Sequence, residues 1–151
     1  MKRILITGGS GFIGTNLLEK FIRDGYKVLN IDINKPKVFD HINYWENVDI
    51  THFEALQKKV SSFKPNYIIH LAARTDIEGL SIDDYKANTL GVKNVMDIAK
   101  EIDSLEKIIF DRYLLKYADV VFFARFIRRD APPCSLGELE HLQQSKELLP
   151  E

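Results

Sequence analysis

Short apolar runs alternate along this chain with longer stretches in which apolar residues recur every third or fourth position. Ile4-Leu5-Ile6, Val28-Leu29 with Ile31, Tyr67-Ile68-Ile69-His70-Leu71 and Ile108-Ile109-Phe110 are runs of the length expected for strands buried on both faces. Residues 42 to 48 read as a weaker third strand. Between the runs, Ile13, Leu17, Leu18, Phe21 and Ile22 share one helical face, and so do Phe53, Leu56, Val60 and Phe63. A third helix presents Tyr85, Val92, Val95, Met96, Ala99 and Ile102. Punctuation agrees with this reading. Gly25 stands where a helix C-terminal glycine belongs, and Lys64-Pro65 stops the second helix. Thr51-His52-Phe53-Glu54 spells a capping box, and Ser81 is placed to cap a long third helix. Strands separated by helices of this length predict an α/β fold: a doubly wound parallel sheet with right-handed crossovers in the order 3-2-1-4-5.

Composition narrows the class. The chain has 151 residues, 45% of them hydrophobic, and a net charge of −1. That length suits one domain with a real core. The near-neutral charge gives no basic footprint for nucleic acid. The single cysteine, Cys134, excludes an internal disulfide and a cysteine-rich metal site, and it fits a reducing, cytoplasmic setting. No apolar run approaches the roughly 20 residues of a membrane span, and the N-terminus opens on a strand without a signal-peptide pattern.

The chemistry concentrates at the end of the first strand. Thr7 leads into Gly8-Gly9-Ser10-Gly11-Phe12-Ile13-Gly14, in which Gly9-x-Gly11-x-x-Gly14 fits the dinucleotide fingerprint. One glycine permits the tight turn, one lets a pyrophosphate approach the backbone, and Gly14 lets the helix pack close. The helix then offers its free N–H groups and dipole to the phosphates. Asp32 ends the second strand, where an acid accepts hydrogen bonds from the adenosine ribose. A P-loop is disfavoured because Thr15 stands where a lysine should follow Gly14. Lys35 and Lys37 could approach a 2′-phosphate, yet Asp32 repels one, so NAD is favoured over NADP. Both lysines, like His52, read as solvated residues, and His70 reads as packed or solvated. Ala72 and Ala73, small residues after the fourth strand, leave room in the crevice beside the glycine loop.

These residues resemble the extended short-chain dehydrogenase/reductase family, the NAD-dependent epimerases and dehydratases of nucleotide sugars. Thr7 to Gly14 is similar to its T-G-x-x-G-x-x-G, and Asp32 to its ribose-binding acid. Asp49-Ile50 resembles the pair that holds the adenine, and His70-Leu71-Ala72-Ala73 its cofactor-lining H-L-A-A. Asn88 and Gly91-Val92-Lys93-Asn94 resemble N-x-x-G-T-x-N. The resemblance covers residues 2 to 110 and implies a Rossmann-type fold. It implies cofactor contacts from Gly8, Gly9, Ser10, Gly11, Phe12, Ile13, Gly14, Asp32, Asp49, Ile50, Leu71, Ala72 and Ala73. It also implies a nucleotide sugar as partner if the family chemistry is retained.

Beyond Phe110 the sequence departs from that pattern. The family's Ser-Ser or Ser-Thr pair and its Y-x-x-x-K are not found; Asp111-Arg112-Tyr113-Leu114-Leu115-Lys116 follows instead. Tyr113 and Lys116 are one residue closer than the motif requires, though both spacings share a helix face. They are weak catalytic candidates. The family's C-terminal sugar-binding region is not found either. Residues 1–110 therefore read as a dinucleotide-binding domain, and 111–151 as a divergent tail with a strand over 119–127 and a helix over 136–149. A helix from Arg112 to Arg129 competes with that strand. The expected function is NAD binding in an epimerase-like frame, with a non-catalytic binding module or an inactive fragment as the alternative. An open strand edge in a shortened sheet favours a homodimer.

Overall fold

The computed structural model describes residues 1–76 and 78–110. The readings made for Tyr113, Lys116 and the elements of the tail lie outside the described residues. Five strands, β1 (Arg3–Thr7), β2 (Lys27–Asp32), β3 (Trp45–Asn47), β4 (Tyr67–His70) and β5 (Lys107–Phe110), form one sheet in the order β3-β2-β1-β4-β5. Every pairing is parallel. The predicted strand order and sheet type are therefore observed. The helices are α1 (Phe12–Arg23), α2 (Phe53–Phe63) and α3 (Val92–Glu101).

Side chains alternate across a strand, so the two faces of β1 feed two separate cores. Ile4 and Ile6 pack with Val28, Ile69 and Leu18 of α1. Leu5 points the other way and packs with Ile31, Ile68 and Ile108 beneath Leu56 and Val60 of α2 and Val95 and Ile98 of α3. This division explains why β1 reads as a continuous apolar run: Ile4, Leu5 and Ile6 are all buried. Gly25 ends α1 with φ +80, and the N–H groups of Gly25 and Tyr26 reach back to Ile22 O and Phe21 O. Lys64 closes α2 in the left-handed region, at φ 52, just before Pro65.

Four local expectations need correction. The third strand is only Trp45–Asn47, because Phe39–Tyr44 forms a 3-10 helix. A crossover leaving the end of β2 must descend the sheet before β3 can run parallel, and these residues make that descent. Trp45 then anchors the new strand by donating Nε1–H to Asp32 O at 2.9 Å. The capping box before α2 does not form. The Thr51 hydroxyl and N–H both donate to Asp49 Oδ1 at 2.8 Å, so His52 takes the N-cap position without a side-chain bond. The long third helix is three pieces: a 3-10 turn Ile82–Tyr85, a π-helical turn Ala87–Gly91, and α3. Ser81 N–H and Oγ both donate to Asp84 Oδ2, so this capping pair does form. Ile13, read as sharing the apolar face of α1 with Leu17 and Leu18, is 42% exposed at the helix start.

Ile98 is 1% exposed at the centre of the larger core. Urea unfolding of Ile98→Ala should show a loss of about 2–5 kcal/mol. Gly25→Ala, strained only by its positive φ, should lose about 1 kcal/mol. An unchanged midpoint for Ile98→Ala would remove that residue from the core.

Candidate functional site

Parallel pairing brings the C-terminal ends of β1, β2 and β4 to one edge of the sheet. Thr7 lies opposite Ile31 on one side and His70 on the other. The chain leaves β1 through Gly8, whose φ of +74 turns it sharply under Ala72. A Cβ on Gly8 would lie 2.6 Å from Ala72 N. One on Gly14 would lie 2.4 Å from Gly8 O and 2.5 Å from Gly9 Cα, so α1 starts in direct backbone contact with the loop. Gly9 is closed off by the Asn30 side chain, 2.3 Å from the same construction. Gly11 differs from these three. Its Cβ would meet only Gly8 O, at 3.3 Å, and otherwise open space. Gly11 is also the N-cap of α1 and makes no side-chain capping bond. The first turn of α1 therefore keeps N–H groups available to an anion. Phe12, 89% exposed, and Ile13 stand on the rim of this opening.

Asp32 ends β2 almost fully buried. Its Oδ2 accepts the Ser10 N–H at 3.0 Å, and its Oδ1 accepts the Asn34 N–H at 2.8 Å. A carboxylate offers about four lone-pair sites, so acceptor capacity remains for a ligand's hydroxyls. Asn30, one turn of the pleat earlier, donates Nδ2–H to Ser10 Oγ, and Ser10 Oγ donates to Asn34 O at 2.7 Å. The glycine loop and the acid of β2 are thus one hydrogen-bonded unit. Lys35 and Lys37 are exposed in the following loop, as the sequence suggested.

Two further walls follow β3 and β4. Asp49 and Ile50 turn the chain towards α2, with Ile50 buried and Asp49 half-buried. Asn94, 4% exposed on α3, donates from Nδ2 to Ile50 O at 2.9 Å and to Thr51 O at 3.0 Å. After β4, Leu71, Ala72 and Ala73 leave the sheet beside Gly8. Arg74 and Asn88 then exchange two bonds: Arg74 N–H donates to Asn88 Oδ1 at 2.7 Å, and Asn88 Nδ2–H donates to Arg74 O at 2.8 Å.

The expected residues of all four segments therefore follow the C-terminal ends of β1, β2, β3 and β4, which lie along one edge of the parallel sheet. Sequence reasoning grouped Asn88 and Asn94 as part of a helical pattern and assigned neither a partner. Their signal was present: an asparagine among Val92, Val95 and Ile98 has to find carbonyls to bond when it is buried. It also left open the role of His70. That ring is packed, 4% exposed, with Nδ1 2.6 Å from Thr7 Oγ1 and its plane edge-on to Phe110. Thr7 Oγ1 also accepts the Ala72 N–H at 3.4 Å. His70 Nε2 has no partner among the described residues. Burial lowers the His70 pKa to about 4, so the ring is neutral near pH 7.

A sequence model described as the NAD dependent epimerase/dehydratase family matches residues 4–112. UDP-glucuronic acid decarboxylase 1 of Danio rerio is 30% identical over an alignment of 107 residues that covers 67% of this chain and 25% of that protein. The crystal structure of UDP-glucose 4-epimerase with UDP-glucose from Thermotoga maritima superposes with a TM-score of 0.64 at 29% identity. It covers 72% of this chain, which spans 37% of that one. The Thermus thermophilus UDP-glucose 4-epimerase in complex with NAD gives a TM-score of 0.62 at 26% identity, with coverages of 72% and 36%. This chain thus spans about a quarter to somewhat over a third of the length of the proteins it resembles.

The buried neutral histidine makes stability depend on pH. Its folded pKa lies below the ordinary value of 6.5, so unfolding takes up a proton whenever the pH lies between the two. Its contribution is complete above pH 6.5 and is lost as the pH falls towards 4. The slope in that window is about 1.4 kcal/mol per pH unit. Urea midpoints from pH 7 to 4.5 should fall more steeply for the parent than for His70→Asn. Parallel curves would show that the ring does not stay neutral on folding.

Proposed function

Because the chain belongs to the NAD dependent epimerase/dehydratase family, we propose that residues 1–110 bind NAD and form the cofactor half of an enzyme that acts on a nucleotide sugar. The observation that carries this reading is Gly11. The Cβ positions of Gly8, Gly9 and Gly14 are blocked by backbone or by Asn30, whereas that of Gly11 faces open space, at the uncapped start of α1. A pyrophosphate fits there, with its charge against the helix N–H groups and its oxygens near a backbone without a side chain. Asp32 and the Ser10 N–H it holds lie next to this point, which suits a ribose with both hydroxyls free. Asp49 and Ile50 take the adenine end. Leu71, Ala72 and Ala73 line the crevice on the β4 side, and Phe12 and Ile13 cover the phosphates.

NAD, when bound, supplies a hydride acceptor. The described residues bind and orient it, and His70 keeps a neutral ring behind the β4 wall. Proton transfer on a sugar needs a positioned acid/base. For that role we put forward only Tyr113 and Lys116, as weak candidates. The departure from the family pattern after Phe110 favours a second reading, a dinucleotide-binding module without turnover of its own. Self-association and a cytoplasmic setting belong to the same proposal. Among the described residues β3 and β5 end the sheet, and an edge left open there would offer backbone groups to a second copy; a single cysteine asks for no oxidising compartment.

Calorimetric titration of the full chain tests the cofactor assignment. NAD should bind more tightly than NADP. Asp32→Ala should narrow that preference by about 1–3 kcal/mol, the worth of a hydrogen bond to a charged acceptor. Gly11→Val should abolish binding with the helix content kept, because its side chain enters the open space and not the packed loop. Equal affinity of the parent for both dinucleotides, or parental affinity in Gly11→Val, would refute the assignment.

A further inference from the structure

The turn after β3 is held in place by two residues of the third helical segment, from two directions. Asn94 is buried, and its two Nδ2 hydrogens bond the carbonyls of Ile50 and Thr51. Gly91, at the end of the π-helical turn, lies so close to Ile50 that a Cβ there would come within 2.5 Å of Ile50 Cδ1 and 2.7 Å of Ile50 Cγ1. In the same turn the Asp49 Oδ1 accepts both the N–H and the hydroxyl of Thr51. The turn is therefore fixed through its backbone by Asn94, through its apolar side chain by Gly91, and internally by Asp49 itself. A π-helical turn widens a helix locally and is frequent at functional sites. Here the widened turn ends at Gly91, where helix and turn meet.

We propose that Asn94 and Gly91 are positioning residues that set the purine specificity of the cofactor site by holding Asp49-Ile50 in register with the base. This rests on the reading that Asp49 and Ile50 face the adenine. A carboxylate held there is an acceptor, and it matches the 6-amino group of adenine. It does not match the 6-oxo group of hypoxanthine, which presents an acceptor of its own. A loosened turn would keep the glycine loop, Asp32 and their contacts to phosphate and ribose, and would lose the discrimination between the two bases. Loss of fold alone weakens both ligands equally, so the ratio of affinities separates positioning from stability.

The experiment measures the binding of NAD and of nicotinamide hypoxanthine dinucleotide to the full chain and its variants by calorimetry. The parent should prefer NAD by roughly tenfold or more, one mismatched hydrogen-bonding pair being worth at least that much. Asp49→Asn keeps an acceptor oxygen for Thr51 and turns a donor towards the base, so it should shift preference towards the hypoxanthine cofactor. Asn94→Asp is nearly isosteric and removes both donors; it should bring the ratio towards one. Gly91→Ala favours helix, so it should fold, and its methyl group displaces Ile50; it should erode the ratio as well. If the parent does not discriminate, or Asp49→Asn leaves the ratio unchanged, the adenine reading fails and the proposal falls with it. If Asp49→Asn shifts the ratio while Gly91→Ala and any folded Asn94→Asp keep the parent's, the positioning role alone is overturned. If Asn94→Asp does not fold, the ratio measured for Gly91→Ala decides.

Discussion

The close backbone contact between the start of α1 and the loop leaving β1 is the constraint on which the rest of the site depends. Gly14 places the helix against Gly8 O and Gly9 Cα at distances that leave no room for a methyl group. Gly8, turned by its positive φ, occupies the space directly beneath Ala72. These contacts fix where α1 begins, and so where its free N–H groups point. They also set the spacing between the β1 loop and the β4 wall. A single added Cβ at either position would have to push backbone against backbone, and no side-chain rotation relieves that. Gly11, the one loop position left open, owes its exposure to the tightness of its neighbours.

Parallel pairing converts this local contact into a site. Because β1, β2 and β4 run the same way in register, their carboxyl ends fall on one edge, and the order β3-β2-β1-β4-β5 puts the reversal of direction at β1. The loops on either side are then tied back by polar side chains. Asp32 and Asn30 hold Ser10 from the β2 side, Asn94 holds Ile50 and Thr51, and Asn88 holds Arg74. Except for Asn30, which bonds the Ser10 hydroxyl, each tie joins a buried or half-buried side chain to main chain that would otherwise lack a partner away from water. The apolar cores place the strands, and the asparagines and the aspartate place the loops.

This division of labour explains what was legible in the sequence. The strands, their order, the three helical faces and the glycine loop were readable because each follows from periodicity or from a steric rule acting over a few residues. Asp32 was readable for the same reason, as an acid at a strand end. What failed were features decided by particular side-chain partners, some near in sequence and some distant. The capping box at Thr51 obeyed its local rule, yet the Thr51 hydroxyl found Asp49 first. The stretch from Ile42 had strand composition, but the crossover geometry required a descent, and a 3-10 helix makes it. The third helix broke where Gly91 and Asn88 answer to Ile50 and Arg74 and not to their own helix. Periodicity within a helix does not carry these pairings, and Gly91 and Ile50 are too far apart for any local rule.

His70 shows the same principle at its sharpest. At the end of β4, after Ile68 and Ile69, it reads from the sequence as either packed or solvated. Burial decides between the two. A ring with its pKa lowered to about 4 is neutral at ordinary pH, so it holds no charge to lend a reaction; it keeps one nitrogen on the Thr7 hydroxyl. That hydroxyl in turn receives the Ala72 N–H, at the point where the chain passes over Gly8. Thr7, His70 and Ala72 therefore fasten β1 to β4 on the line along which the glycine loop needs support. A histidine can serve there because desolvation keeps the ring neutral near pH 7, so no charge is buried between β1 and β4.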